Sequence, residues 1–269
     1  MSDSRPIGIF DSGVGGLTVL NELKKYLPYE HMIYVGDTAR VPYGNKSKNL
    51  IQQYSKEISE FLISKNCKMI VVACNTASSL ALEYLRSKYS LPIEGVIDAG
   101  VDEAIKETTN NHIGVLGTHS TIQSGAYESK LKENRSDIHV INQACPLFVP
   151  LAEEGWLEGE IPEKIANVYL KPLLHAHVDS VILGCTHYPI LKRTIYNVLP
   201  ENVKLVDSGE AVSQKVIQIL KQNKTGTSSK TFGNLECYVT DLPSQFSRVA
   251  KRFVDFPIGE VKTIELHPS

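Results

Sequence analysis

The chain has 269 residues, 42% of them apolar, enough for one large α/β domain or two small ones around a buried core. Lys and Arg total 28 against 30 Asp and Glu, a net charge of −2, which gives no general attraction to nucleic acid or to a membrane surface. No segment approaches the ~18 apolar residues of a membrane helix, no signal-type apolar stretch follows Met1, and five cysteines is an odd number, so a cytoplasmic protein without a disulfide framework is expected.

Short apolar runs predict strands at Ile7–Phe10, Met32–Val35, Met69–Ala73, Val96–Ile97, Ile113–Leu116, Ile138–Ile141, Val181–Leu183 and Lys204–Val206. Several are continuously apolar instead of alternating, the pattern of strands buried on both faces in a parallel sheet. Between them, Leu50, Ile51, Tyr54, Ile58, Phe61 and Leu62 follow helical spacing, as do Leu80, Tyr84 and Leu85. This alternation implies right-handed βαβ units and an α/β fold with doubly wound sheets. The polar stretch 222–234 reads as a loop, followed by a strand at Leu235–Thr240, a helix at Ser244–Phe253 and a strand at Val261–Leu266.

Two pairs of segments match each other. Met69-Ile-Val-Val-Ala-Cys74-Asn75-Thr76 reads against Ser180-Val-Ile-Leu-Gly-Cys185-Thr186-His187, and Ile7-Gly-Ile-Phe-Asp11-Ser12 against Ile113-Gly-Val-Leu-Gly117-Thr118. A half-site built twice implies two similar lobes, with a break near Ile97–Asp98, and can set two thiols face to face across one pocket. Ligands of open α/β sheets sit at the carboxyl ends of strands, and Asp11, Asp37, Cys74, Thr118 and Cys185 all fall there.

A cysteine between a strand end and a helix start meets backbone N–H groups and the positive end of the helix dipole, both of which favour thiolate. Cys74 and Cys185 occupy such positions; Cys67, Cys145 and Cys237 lack that context and read as small core residues. Phe10–Thr18 is a glycine-rich strand-to-helix turn without the Lys of a P-loop, suited to a small anion. Asp11 beside it is either a helix cap or a base. Tyr43 and Gly44, in the turn-rich loop after Asp37, are either ligand contacts or part of a surface turn. Cys185-Thr-His187 is a single close ligand pair, too little for a zinc site, so no metal is expected. His175 and His177 read as a turn or helix end.

Taken together, Phe10-Asp-Ser-Gly-Val-Gly-Gly16, Asp37-Thr-Ala-Arg-Val-Pro-Tyr-Gly44, Ala73-Cys-Asn-Thr-Ala77 and Leu183-Gly-Cys-Thr-His-Tyr-Pro189 resemble the glutamate racemases of the aspartate/glutamate racemase superfamily, in order and over nearly the whole chain. The resemblance implies two pseudo-two-fold-related α/β lobes, 1–97 with 208–269 and 98–207, with the active site in the cleft between them. It implies cofactor-independent interconversion of L- and D-glutamate for peptidoglycan synthesis, in a homodimer, with Cys74 and Cys185 as the catalytic thiols. Asp11 and His187 are then the assistants of the two thiols. Substrate contacts carry over to Asp11, Ser12, Tyr43, Gly44, Asn75, Thr76, Thr118, Thr121, Thr186 and His187, and supporting roles to Asp37 and Glu153. Three rivals stay open on sequence: a two-cysteine racemase of aspartate or a related dicarboxylate, a non-catalytic amino-acid binder, and a one-cysteine acyl-transfer enzyme.

Overall fold

The computed structural model describes residues 3–266. Ten strands, β1 (Ile7–Asp11), β2 (Met32–Gly36), β3 (Met69–Val72), β4 (Ile93–Gly95), β5 (His112–Gly117), β6 (His139–Ala144), β7 (Ser180–Gly184), β8 (Lys204–Asp207), β9 (Leu235–Val239) and β10 (Val261–Thr263), form two sheets. The first has the order β10-β9-β2-β1-β3-β4 and the second β6-β5-β7-β8. Every pairing is parallel. The continuous apolar runs follow from this, because parallel strands carry helices on both faces.

The duplication seen in the sequence is a duplication of topology. The order β2-β1-β3-β4 recurs as β6-β5-β7-β8, and the registers correspond: Ile7 lies opposite Met69 as Ile113 lies opposite Ser180. In this order the connection leaving β1 and the one entering β3 diverge to opposite faces, which opens a crevice at their carboxyl ends. The same crevice opens beyond β5 and β7. Asp11 and Ser12 end the first strand of one crevice and Cys74 follows its partner; Thr118 and Cys185 stand at the matching places in the other.

The helix Val96–Glu107 carries the chain from the first sheet to the second, and the helix Ser208–Asn223 carries it back to pack on Leu17–Tyr26. A single apolar cluster joins the units: Ile7, Ile9 and Leu17 share it with Leu116, Val181 and Leu183. Separate clusters fill the outer faces, around Phe10, Ile70 and Val72 in one sheet and Ile113, Val115 and Ile182 in the other.

The strand expected at Val96–Ile97 is not one. Both residues open the helix Val96–Glu107, and the strand precedes them at Ile93–Gly95. Buried Val96, Ile97, Val101 and Ala104 fall on one face at helical spacing, so the helix reading wins once the window extends past the first two residues. The other expected strands and the helix near Ser244–Phe253 form within a few residues of their expected bounds, the last as Pro243–Ala250. Among the described residues no helix is long and apolar enough to cross a membrane.

Candidate active site

The two crevices face each other across one cavity of about 290 Å³, and both Cys74 and Cys185 line it. Ser12, Tyr43, Gly44, Asn75 and Thr76 line it from the first unit, and Thr118, Thr186 and His187 from the second. Four further expected residues stand behind this wall. Asp11, Asp37 and Thr121 are fully buried, and Glu153 backs His187.

Asp11 does not cap the helix Leu17–Tyr26, whose first turn receives no side-chain bond. Its carboxylate accepts from the Gly13 N–H at 3.0 Å and, across the cleft, from the Thr186 hydroxyl at 3.3 Å. The glycine-rich turn is glycine-rich for a steric reason. A Cβ on Gly15 would lie 2.4 Å from Thr186 Oγ1 and 2.5 Å from His187 Nδ1, and one on Gly16 would lie 2.4 Å from Asp11 Cβ. The turn thus lets the second unit's Thr186 and His187 approach the backbone of the first. Gly15→Ala must push both side chains aside, and displacements of about 1 Å can cost ~100-fold. We expect kcat/KM to fall by about that factor while the thermal midpoint moves by a few degrees; a variant with wild-type kinetics would contradict the close approach.

The two thiols sit in different surroundings. The Cys74 sulfur accepts from the Ala77 N–H at 3.5 Å, as expected of a residue capping the helix Asn75–Lys88. Yet burial, reinforced by the Asp11 charge, pushes its pKa up to about 12, against the opposing hydrogen bonds from Ala77 and Ser12. Removal from water thus works against the helix start at this residue and outweighs it. Cys185 has His187 Nδ1 at 3.8 Å from its sulfur, and the far ring nitrogen lies 2.9 Å from Glu153 Oε1. Burial disfavours a charged imidazole, but the sulfur and the carboxylate outweigh it and lift His187 from 6.5 to about 10. The Phe253 ring packs edge-on against it, with centroids 5.5 Å apart.

A raised histidine pKa has a signed consequence. The stability contributed by ionised His187 is fully present below pH 6.5, where the unfolded chain is also protonated, and is lost as pH climbs toward about 10. The gap in urea midpoint between wild type and His187→Asn should therefore shrink steadily from pH 6.5 to pH 10. A gap independent of pH would contradict a protonated ring.

Three hydroxyls close the opposite side. Thr76 Oγ1 lies 3.1 Å from both Thr118 Oγ1 and Thr121 Oγ1, which are 3.0 Å from each other, so the first unit touches the second through a triangle of threonines. Ser120 adds a 2.7 Å bond to the Gly44 carbonyl. Tyr43 is buried, not part of a surface turn. Its hydroxyl donates to Asp37, and Arg40 clamps Asp37 and Glu57 together while its guanidinium lies 4.1 Å above the Tyr54 ring. Asp37 thus holds the loop in shape from behind.

Sequence reasoning missed Asn45, His119, Pro146, Val149 and Pro150, which also line the cavity. Val41 and Pro42 lay inside a quoted motif without being singled out. Val149 and Pro150 belong to the short helix Phe148–Glu154, and nothing in their local pattern points to a site. His175 ends a helix and His177 follows it in a left-handed turn, both exposed, as expected of a turn or helix end, and neither lines the cavity. Cys67, Cys145 and Cys237 are buried free thiols that do not line the cavity.

Comparison with known proteins places this geometry. Residues 8–216 match the family model for Asp/Glu/hydantoin racemases. The chain is 48% identical to a glutamate racemase of Geobacter metallireducens over 262 residues, 97% of each chain. It superposes on a glutamate racemase of Francisella tularensis, solved in complex with D-glutamate, with a TM-score of 0.93 at 38% identity, covering 99% of this chain and 100% of that one. A glutamate racemase of Escherichia coli, solved with L-glutamate and an activator, matches with a TM-score of 0.81 at 28% identity, covering 98% of this chain and 99% of that one.

Proposed function

The chain belongs to the Asp/Glu/hydantoin racemase family, and from that premise we propose that it interconverts L- and D-glutamate without a cofactor, supplying D-glutamate for peptidoglycan synthesis in the cytoplasm. The observation that carries the reading is the pair of cysteines at equivalent strand ends of a duplicated unit, both lining one cavity. A racemase must remove a proton from one face of Cα and return one to the other. A single base would have to cross the substrate; two opposed thiols need not move.

In the L-to-D direction the Cys185 thiolate takes the Cα proton and the Cys74 thiol donates its own to the opposite face. The products are D-glutamate, a Cys185 thiol and a Cys74 thiolate, and the reverse reaction runs from that state. A Cys74 held as a thiol by burial and by Asp11 suits the donor role in this direction. Protonated His187 beside Cys185 balances negative charge on that sulfur, and Glu153 holds the imidazolium in place. The transition state gathers charge on the α-carboxylate, where preorganised donors help most. Ser12, Thr186 and the N–H groups opening the helix Asn75–Lys88 are available for it, while Thr76, Thr118 and Thr121 fix the facing wall. Closure of two lobes, 1–97 with 208–269 and 98–207, would exclude water and strengthen these contacts. We also propose that the enzyme works as a homodimer.

The test is an assay of purified protein on each enantiomer of glutamate and of aspartate, with no added cofactor, followed by chiral chromatography. Glutamate should be racemised from either side to a one-to-one mixture and aspartate left unchanged. Racemisation of aspartate with glutamate untouched would replace this substrate, and no racemisation of either would leave a binding protein.

A further inference from the structure

We propose that Tyr127 is a positioning residue: it fixes which end of the Asn75 side-chain amide meets the substrate, and the end it leaves to the cavity is the N–H donor end, aimed at a carboxylate. The inference rests on the reading of the cavity as an amino dicarboxylate site.

Asn75 follows Cys74 directly and lines the cavity. Tyr127 stands on the other unit, in the helix Ala126–Asn134. The two residues are 3% and 2% exposed, so the contact between them is buried. The phenol oxygen lies 2.6 Å from Asn75 Oδ1. That length falls within the roughly 2.5–3.0 Å of an O–H donor on oxygen and short of the roughly 2.7–3.2 Å typical of N–H on oxygen. Burial pushes the Tyr127 pKa up, so the hydroxyl keeps its proton.

A third group lies within reach of the phenol. Ser208 Oγ lies 3.3 Å from the phenol oxygen and 3.4 Å from the Leu183 carbonyl. Whether the Ser208 proton turns to the phenol or to Leu183, Asn75 Oδ1 at 2.6 Å is the nearer acceptor, and the phenol proton goes to it. Amide oxygen and nitrogen are nearly alike in shape, and a neighbouring donor decides their order. With Oδ1 occupied, the two N–H groups of Nδ2 are what Asn75 has left for the cavity. The flipped amide would instead turn a carbonyl oxygen on an anionic substrate, leaving like partial charges opposed in a buried site. Because the phenol comes from the second unit and the amide from the first, the donor is set across the cleft.

Steady-state kinetics in both directions on Tyr127→Phe, Asn75→Ala and the double variant test this. Tyr127→Phe should raise KM for glutamate about tenfold with kcat changed less than about threefold, and Asn75→Ala should raise KM at least as much. The double variant should match Asn75→Ala alone, because Tyr127 acts only through Asn75. An unchanged KM in Tyr127→Phe, or losses that multiply in the double variant, would overturn the assignment. Asn75→Asp supplies a second arm that leaves Tyr127 in place. It keeps an acceptor for the phenol but replaces the donors by an anionic oxygen, so its KM should exceed that of Asn75→Ala; a KM equal or lower overturns the orientation. Failure here shows against a wild type that racemises glutamate, whereas a wild type inactive on glutamate brings down the functional reading and this inference with it.

Discussion

Cys74→Ala and Cys185→Ala should each lower kcat for glutamate racemisation in both directions by at least the ~10²–10⁴-fold that a positioned acid or base contributes. The loss is shared between directions because every turnover needs both sulfurs, one to accept a proton and one to donate it. Neither substitution removes much volume, and each residue sits at the end of a strand whose pairing involves only backbone. The fold should therefore survive, which circular dichroism and a thermal midpoint would check. The substituted proteins should still bind glutamate, since the hydroxyl and amide donors remain. A variant that racemises at the wild-type rate would remove that thiol from the chemistry. Cys145→Ala is the matched control: this thiol is also buried, its sulfur points to the Gln143 carbonyl at 3.6 Å, and it does not line the cavity.

The second large effect is expected far from the cavity. Lys68 and Glu30 form an ion pair at 2.6 Å with side chains 0% and 4% exposed. The same ammonium donates to the Asp3 carbonyl at 2.9 Å and the Thr225 carbonyl at 2.8 Å, and Glu30 accepts from the Thr227 N–H at 2.8 Å. One charge pair thus ties the segment before β1, the segment before β3 and the polar loop after residue 223 beneath the amino ends of the first sheet. Lys68→Met would leave a carboxylate out of water with its countercharge gone, a defect worth about 3–5 kcal/mol. Urea denaturation should register that loss, and Lys68→Met/Glu30→Leu should recover part of it because no orphaned charge remains. The site lies at the opposite ends of these strands, so kcat in native buffer should change little. A loss below about 1 kcal/mol in the single variant would contradict a dry ion pair.

Much of this architecture was legible because parallel strands announce themselves. Ile7–Phe10, Met32–Val35, Met69–Val72 and Val181–Leu183 are continuous apolar runs buried along their whole length. The exception is instructive. β4 reads Ile93-Glu94-Gly95, and its central residue is acidic. Glu94 is buried all the same, with Arg86 Nη2 at 3.2 Å, and a rule that looks for apolar runs passes over a strand whose charge is neutralised from a neighbouring helix. The next apolar pair, Val96–Ile97, then took its place.

The same division holds at the site. Cys74 and Cys185 could be found from the sequence because each is placed by its own strand and the two contexts repeat. Thr121 and Glu153 came only from family resemblance, since their partners are distant: Thr76 and His187 lie 45 and 34 residues away. Val149 and Pro150 were invisible, being brought to the cavity by packing of the second unit, and so was Tyr127, brought to Asn75 in the same way. The ionisation of Cys74 lies beyond local sequence for a related reason. Helix position is local and can be read from neighbours, whereas burial and the Asp11 charge belong to the folded whole.

The account's central claim, that two sulfurs act on opposite faces of one carbon, is tested most directly by running the reaction in heavy water and following deuterium at Cα before equilibrium. From either enantiomer the product should carry one solvent deuterium while the recovered substrate stays almost unlabelled, because the sulfur that takes the substrate proton is not the one that supplies the product's. Early labelling of recovered substrate at the rate of product formation would mean one exchanging base serving both faces.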